Sequence, residues 1–184
     1  YGYTPPANAI GTVTYTVTLN DLVGNTASST LSLSIDTITP AIEQISSPMT
    51  NGTYTDNDSN QSLSDTVTIT VTFTEPVWVS GTPRVVLNTT PVSYADFSYG
   101  SGTTTLTFTN PVAQEVKTSD LNVTALDLNE GTITDGSSNT ASLTLTYITS
   151  NSKNVSDTNN IKIDAKNPVL SNFAAIHNNN LAPI

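Results

Sequence analysis

Apolar and polar residues alternate along most of this chain. Segment 66–74 reads Thr-Val-Thr-Ile-Thr-Val-Thr-Phe-Thr, and segments 12–19, 103–109 and 142–147 follow the same pattern. Successive side chains of a β-strand point to opposite faces, so this alternation predicts strands that bury one face. In segment 66–74 the threonines are expected to face water. The apolar residues, which are expected to face a core, are Val67, Ile69, Val71 and Phe73.

The spacing of these segments predicts an all-β fold. They are separated by Asn, Gly, Ser and Asp, and no stretch has convincing helical periodicity, which indicates a β-sandwich. One long hairpin is predicted from 12–19 and 28–35. Further strands are predicted at 41–47, 52–55, 65–74, 77–80, 84–88, 93–98, 103–109, 121–126, 132–134, 141–149 and 160–164.

Several local features refine this prediction. Gly100-Ser101-Gly102 is expected to form a hairpin turn, and 150–160 reads as a polar inserted loop. Tyr147 and Ile148, just before that loop, are expected in the core. Trp78 is also expected in the core, as single tryptophans of sandwiches usually are. The alternative is an exposed aromatic platform near a sheet edge that binds sugar or protein.

One phrase occurs twice and indicates serial modules. Ile35-Asp36-Thr37-Ile38-Thr39-Pro40 returns 128 positions later, from Asp36 to Asp164, as Ile163-Asp164-Ala165-Lys166-Asn167-Pro168. A related Asp-x-x-x-Asn-Thr-Ala turn precedes each copy, at 21–27 and 135–141. Self-similarity of this kind is typical of repeat architectures.

The repeat predicts the domain organisation. Residues 1–40 are expected to be the C-terminal hairpin of a preceding module plus a junction. Residues 41–168 are expected to form a complete module, and 169–184 to begin a following module or form a terminal extension. We therefore expect a piece of a longer array. Because a lone hairpin is marginal in water, the first hairpin is expected to lean on the complete module or on something outside the chain.

Charge and cysteine usage exclude several functions. Fifteen acidic residues oppose five basic ones, for a net charge of −10, which disfavours nucleic acids and anionic membrane surfaces and suits divalent cations. The absence of cysteine excludes disulfides and thiolate chemistry, and it indicates a bacterial exported protein or a cytosolic one. No apolar run approaches the roughly twenty residues of a membrane helix, so no membrane insertion is expected.

Catalytic constellations are sparse. His177 is the only histidine and lies in an Asn-rich segment, which disfavours a Ser-His-Asp triad. Glu75, Glu115 and Glu130 are isolated in sequence, so a glycosidase pair is not indicated. We expect that the chain is not an enzyme.

Calcium binding is better supported by the sequence than catalysis, since Ca²⁺ prefers carboxylate, amide and carbonyl oxygens. One candidate cluster consists of Asp56, Asp58, Asn60 and Asp65. It opens like a calcium loop but lacks the glycine and the glutamate that complete one, and a solvated Asn/Asp turn is the alternative. A weaker cluster, Asp127 to Glu130, reads as an exposed hairpin loop.

The repeated junctions provide a second set of candidate ligands. Asp21 is expected to converge with Asp36, and Asp135 with Asp164, so that an ion would sit between modules and stiffen the joint. The alternative for each aspartate is that it caps a turn by accepting backbone N–H groups.

The quoted turn and junction resemble those of bacterial immunoglobulin-like or cadherin-like tandem repeats in large exported surface proteins and adhesins. The resemblance extends to segments 66–83, 99–103 and 126–135, which are similar to a tandem repeat common in giant bacterial surface proteins. In all, the resemblance covers about residues 21–168. It implies a structural or adhesive module of a cell-surface or secreted fibre, which acts as a spacer and binds neighbouring modules of the same polypeptide. It further implies an extracellular or cell-surface location and contact with a host or prey glycan or protein. The alternative function is a carbohydrate- or protein-binding module of an exported protein.

Overall fold

The computed structural model describes residues 2–55 and 65–166. These residues form twelve β-strands and two short helices. The strands are β1 (Ile10–Asn20), β2 (Thr26–Asp36), β3 (Ile42–Ser46), β4 (Gly52–Tyr54), β5 (Thr66–Ser80), β6 (Arg84–Leu87), β7 (Ser93–Tyr99), β8 (Thr103–Pro111), β9 (Lys117–Thr118), β10 (Val123–Asp127), β11 (Thr132–Thr134) and β12 (Ile161–Asp164). The helices are α1 (Thr146–Ser150) and α2 (Val155–Thr158).

Three sheets make up the described part of the chain, and nearly all strand pairs are antiparallel. A seven-stranded sheet has the order β10-β6-β7-β8-β5-β11, with β3 also paired to β5. A three-stranded sheet has the order β4-β12-β9, in which β4 and β12 run parallel. Strands β1 and β2 form a separate hairpin. The two larger sheets contribute to one cluster of buried apolar side chains, consistent with a β-sandwich and with the predicted all-β class.

Strand β5 places the centre of the core. Val67, Ile69, Val71 and Phe73 are at most 1% exposed, which confirms their predicted orientation. Opposite them, Phe108 and Leu106 of β8 are also fully buried. The threonines between the β5 core residues are half-buried or exposed.

The predicted strand at 141–149 is wrong. Thr140 and Ser142 form only isolated bridges, and the chain then turns into α1, where the Thr149 N–H bonds the Leu145 carbonyl. The helical turn buries Ile148 completely and leaves Tyr147 49% exposed, so only one of these two was correctly assigned to the core. Local alternation was overridden by the packing of Ile148.

The segment 150–160 is less loop-like than its polarity suggests. It contains α2, which begins with a capping box at Asn154. Asn154 and Val155 are both buried. The Asn154 amide also bonds the Val123 carbonyl of β10, so this segment is tied into the sandwich.

Strand β5 is longer than predicted, because the segments 65–74 and 77–80 join across Pro76. The register with β8 is irregular between Thr72 and Val77. After this irregularity Val77 occupies the inward position at 0% exposure, so alternation turns Trp78 outward. Trp78 is 48% exposed, and its predicted place in the core is wrong. The predicted turn at 100–102 does connect β7 and β8.

The β1–β2 hairpin pairs over eleven residues without a bulge. Almost all of its side chains are exposed, so it does not lean on the sandwich as a packed layer. Within the described ranges, both helices are too short to cross a lipid bilayer.

Candidate functional site at the junction

Three carboxylates meet where the hairpin joins the sandwich. Asp36 is the last residue of β2, Glu75 precedes Pro76 in β5, and Asp135 follows β11. One carboxylate oxygen from each lies within 4.8 Å of the others. We call this group the junction cluster. It is the one such acidic group found among the described residues, and it contains two of the predicted ligands.

Glu75 is the least satisfied member of the junction cluster. Its Oε1 atom is shielded from solvent and has no hydrogen-bond partner among the described residues. Burial raises the pKa of Glu75, and the negative charges of Asp36 and Asp135 raise it further. The folded chain therefore favours a proton, or another positive charge, at this carboxylate.

Asp135 is held by the turn that follows it. Its Oδ1 accepts the N–H groups of Ser137 and Asn139, each at 2.8 Å, and its Oδ2 accepts the Asn139 side-chain amide at 2.7 Å. Burial by itself would raise the pKa of Asp135, but these hydrogen bonds outweigh it and the pKa is lowered. Asp135 is thus a fixed anion although only 5% of it is exposed.

Asp21 forms the same turn at the far end of the hairpin. Its Oδ1 accepts the N–H groups of Val23 and Asn25 at 2.9 and 2.8 Å, and its Oδ2 accepts the Asn25 amide at 2.7 Å. Chiefly through the Asn25 side chain, these bonds lower the pKa of Asp21. The repeated turn sequence therefore forms the same turn twice. In both copies the aspartate caps its own turn by accepting backbone N–H groups, which is the alternative to calcium binding stated for these aspartates.

The junction itself is fixed by direct contacts. The Asn139 amide donates to the carbonyl of Asp36 at 3.1 Å. Nearby, the Ser142 N–H bonds the Pro40 carbonyl at 2.7 Å, and the Thr74 N–H bonds the Ala41 carbonyl at 2.9 Å. Residues 36–41 are therefore bound to strand β5, to the 135–139 turn and to Ser142 of the sandwich rather than forming a free linker.

The junction cluster suits a hard cation. Three carboxylates supply up to six oxygens, and each oxygen has two lone pairs, so the bonds within the Asp135 turn leave acceptor capacity. Calcium takes six to eight oxygen ligands in flexible geometry, with water completing the set. A divalent cation would also offset the mutual repulsion of the carboxylates and give Glu75 Oε1 a partner.

Several predicted ligands lie away from this cluster. Asp21 and Asp36 stand at opposite ends of the hairpin, eleven residue pairs apart, and do not converge. Asp164 is exposed on β12 and is not part of the cluster. It lines an open groove that also contains Lys117 and Lys162, two of the five basic residues, which disfavours a cation there.

The predicted acidic clusters at 56–65 and 127–130 differ in how much of each the structure describes. Asp65 accepts the Thr55 N–H and so holds together the ends of segment 56–64. The remaining predicted ligands of that cluster lie outside the described residues: Asp56, Asp58 and Asn60. Asp127 accepts the Asn129 N–H and a hydrogen bond from the Arg84 side chain, which together lower the pKa of Asp127, so this carboxylate is engaged within the turn.

Glu75 is not identified as a candidate ligand from the sequence, where it is an isolated acid near the end of a strand. A glutamate followed by proline inside a strand-forming segment is the available signal, because such a residue sits at a ladder irregularity where a side chain can be redirected. Its proximity to Asp36 and Asp135 depends on tertiary structure.

Comparison of the sequence with protein-family models and with curated proteins, and of the fold with solved structures, gives no match.

Proposed function

We propose that this chain is a structural spacer of a bacterial surface or secreted fibre built from serial immunoglobulin-like or cadherin-like modules. Its work is to fix the orientation of one module relative to the next, in an extracellular or cell-surface setting. Its main partners are the neighbouring modules of the same polypeptide, and its outer surface is available to a host or prey glycan or protein.

The observation that carries this proposal is the junction between hairpin and sandwich. Asn139 belongs to a turn present in both repeats, and its amide binds the carbonyl of Asp36, a residue of the repeated junction phrase. A spacer needs such a contact, because a flexible linker would let consecutive modules rotate freely.

A joint of this kind can be tested by the alignment of its two parts. Residual dipolar couplings of the chain in a dilute liquid crystal should fit one alignment tensor for β1–β2 and the sandwich. Asn139→Ala removes the bridging amide and should loosen that agreement, whereas Asn151→Ala, an exposed amide on the sandwich, should not. Two independent tensors in the unaltered chain would contradict the spacer proposal.

We further propose that Ca²⁺ binds the junction cluster and stiffens the joint. The support is the convergence of Asp36, Glu75 and Asp135 and the unpartnered Glu75 Oε1. Since a ligand that binds only the folded state raises its stability by RT ln(1 + [L]/Kd), saturating Ca²⁺ at about 100 Kd should add roughly 2.7 kcal/mol.

Calorimetry with Ca²⁺ or with EDTA tests the cation. Ca²⁺ should raise the Tm of the unaltered chain, and Glu75→Gln should abolish the rise. Glu43→Gln removes the same charge from an exposed position of β3 outside the cluster and should keep it. An equal Tm in Ca²⁺ and EDTA would refute calcium binding while leaving the spacer proposal to the alignment experiment.

A second candidate function, glycan binding, is favoured by the exposure of Trp78. Trp78 is 48% exposed, and its ring lies against Gly102 and Gly136, where a Cβ atom would contact the indole. Tyr99 is 64% exposed and is the last residue of β7, directly before the 100–102 turn that contains Gly102. Exposed aromatic rings of this kind are typical of interaction surfaces.

A glycan array followed by fluorescence titration tests this candidate. Trp78→Ala should abolish binding to any glycan that the unaltered chain retains. Tyr147→Ala is the matched control, because Tyr147 is equally exposed but lies on α1. An array without binders, or binding that survives Trp78→Ala, would contradict the glycan platform.

A further inference from the structure

An open groove lies on the outer face of the β4-β12-β9 sheet. Lys162 of β12 pairs with Thr53 of β4, and Asp164 of β12 pairs with Lys117 of β9. Paired residues of neighbouring strands share a face of the sheet, as do residues two apart in one strand, so these four side chains lie on the same face. Between them Ile163 is only 2% exposed, because its side chain points into the core. The groove has a volume of about 530 Å³, within the range of roughly 300–1,000 Å³ of small-molecule sites.

The segment between β6 and β7 lies alongside β9 and forms one wall of the groove. Thr90 and Lys117 exchange two backbone hydrogen bonds, at 2.9 and 3.0 Å. The Asn88 side chain is held at both of its polar atoms, since its amide donates to the Asp120 carbonyl at 2.8 Å and its Oδ1 accepts the Asn122 N–H at 2.7 Å. This wall is therefore fixed by hydrogen bonds to its neighbours rather than formed by a free loop.

The two lysines of the groove are not neutralised by any of the described residues. Neither Lys117 nor Lys162 forms an ion pair or a side-chain hydrogen bond with them. Arg84 and Lys153 are engaged by contrast, the first in an ion pair and the second with the Tyr147 hydroxyl. Lys117 and Lys162 are diagonal neighbours on antiparallel strands, about 7–8 Å apart, so both ammonium groups can reach one anion. Two of the five basic residues of an acidic chain therefore lie side by side and unpaired.

Hydroxyl groups surround the two lysines. Thr53, Thr90 and Ser119 line the groove, and within the described part of the chain their hydroxyls make no hydrogen bond. A smaller pocket that shares Thr53 and Lys162 continues the groove and adds the amides of two asparagines. A lining of hydroxyls, amides and ammonium groups, almost without exposed apolar surface, suits a ligand rich in hydroxyl groups, such as a saccharide.

The charges in and around the groove limit the charge of the ligand. Two lysines and Asp164 sum to +1, which matches one carboxylate or one sulfate ester. A phosphate monoester carries about −1.5 to −2 at pH 7 and would leave part of its charge beside Asp164. A long polyanion would also meet the net charge of −10 on the whole chain. A saccharide with a single negative charge is therefore the best match.

We infer that this groove binds an acidic saccharide whose single negative group, a carboxylate or a sulfate ester, lies between Lys117 and Lys162. The sugar hydroxyls bond to the hydroxyls of the lining. An acidic peptide fits less well, because peptides bind at free strand edges, in apolar grooves or on arginine clusters, and the polar outer face of this sheet offers none of these. The inference goes beyond the spacer proposal and does not depend on it, since the groove shares no residue with the junction cluster or with Trp78 and its neighbours.

Nuclear magnetic resonance of the ¹⁵N-labelled chain in EDTA tests the inference. The probes are saccharides of two to four sugars that carry one glucuronate, galacturonate, sialate or sulfate ester group. Each is compared with its carboxyl-reduced or desulfated counterpart. The acidic probes should shift the amide signals of 51–53, 88–90, 117–119 and 160–164, and their uncharged counterparts should bind more weakly. Added salt should weaken the binding of the acidic probes, because it screens exposed charges.

Substitutions in the groove give opposite expected effects. Lys117→Gln and Lys162→Gln should each weaken binding about two- to fivefold, as expected for the loss of one exposed charge pair. Lys153→Gln is the matched control, because it removes the same charge from a lysine outside the groove, and it should leave the affinity unchanged. Asp164→Asn should strengthen binding by a similar factor, which is a gain that a damaged fold cannot produce.

Four results would overturn the inference. The first is that no acidic probe shifts the groove amides, or that the uncharged counterparts bind equally well. The second is that sodium acetate or sodium sulfate alone reproduces the shifts at the same affinity, which indicates a site for a small anion only. The third is tighter binding of heparin or polyglutamate, which indicates a polyanion or an acidic peptide. The fourth is binding that Trp78→Ala abolishes and the lysine substitutions leave intact, which assigns the saccharide to the Trp78 surface. The spacer proposal is read from the alignment experiment, so the two proposals fail separately.

Discussion

Asp135 offers a quantitative test of how burial changes the contribution of the repeated Asp-x-x-x-Asn turn to the free energy of unfolding. Replacing it by alanine removes the acceptor for the Ser137 N–H, the Asn139 N–H and the Asn139 amide. Asp21→Ala removes the same three bonds from the same turn, but Asp21 lies on the exposed hairpin. The two substitutions therefore differ in burial and in connection to the core, not in the motif.

The expected loss follows from the bonds and their surroundings. A hydrogen bond to a charged acceptor contributes roughly 1.5–3 kcal/mol, so losing three without replacement would cost about 4–9 kcal/mol. Two effects reduce this loss. Ser137 is exposed and Asn139 is only half-buried, so water can reach the freed N–H groups, and repulsion between Asp135 and Glu75 is relieved. We expect Asp135→Ala to lower the free energy of unfolding by about 2–4 kcal/mol.

Urea unfolding in EDTA at pH 7 measures this difference without a contribution from bound metal. The fluorescence of Trp78, the only tryptophan, reports on the sandwich, and far-ultraviolet circular dichroism checks that the transition is two-state. Asp21→Ala should leave the midpoint of the Trp78 transition unchanged.

The pH dependence gives a second readout. Because the pKa of folded Asp135 is lowered, its stabilisation is present above the ordinary value of 3.8 and is lost as pH falls through the folded pKa. The difference in free energy of unfolding between the unaltered and Asp135→Ala chains should therefore disappear in acid. A difference below about 1 kcal/mol at neutral pH, or an equal loss of stability in Asp21→Ala, would refute the reasoning.

Three further substitutions have expected outcomes. Glu75→Gln should raise the Tm at pH 7 in EDTA. The pKa of folded Glu75 lies above its ordinary value of 4.5, so the ionised carboxylate destabilises the fold above that pKa, whereas the protonated acid does not. In a calorimetric pH series the gain in Tm should therefore vanish in acid, and a gain that stays constant would contradict this. Asn154→Ala should cost about 2–4 kcal/mol in urea unfolding, because the 2%-exposed amide caps α2 and binds β10, and a cost near that of Asn151→Ala would show that these bonds are dispensable. Gly100→Ala should sharply lower soluble yield and Tm, because φ is +111° and a Cβ would collide with the Thr105 carbonyl, whereas Gly24→Ala, with φ +94° and open space, should be tolerated better.

The repeated junction shows that a motif in the sequence can predict a local turn without predicting which side chains come together around it. The two Asp-x-x-x-Asn turns adopt matching hydrogen bonds because an Asx turn is closed by residues within five positions of one another. That is local information. The convergence of Asp21 with Asp36 did not follow, because the hairpin pairing separates them by its full length.

The sequence alone determined the all-β class, most strands and the inward set on β5. Strand periodicity is two, and a one-residue slip would turn every apolar side chain to water, so alternation fixes orientation strongly. The same reasoning failed at 141–149, where a helical turn that buries Ile148 replaces the strand. At Trp78 the general rule for tryptophans in sandwiches is what failed, because alternation with the buried Val77 turns Trp78 outward.

Only the tertiary structure decided the candidate site. It brought Glu75 beside Asp36 and Asp135, residues about forty and sixty positions away in the chain. Among the described residues, it also left the side chains of β1 and β2 largely exposed while burying every second side chain of β5. The physical reason is common to both: contacts between distant residues, and the solvent exposure that results from them, depend on how strands pair and pack rather than on the pattern within any one strand.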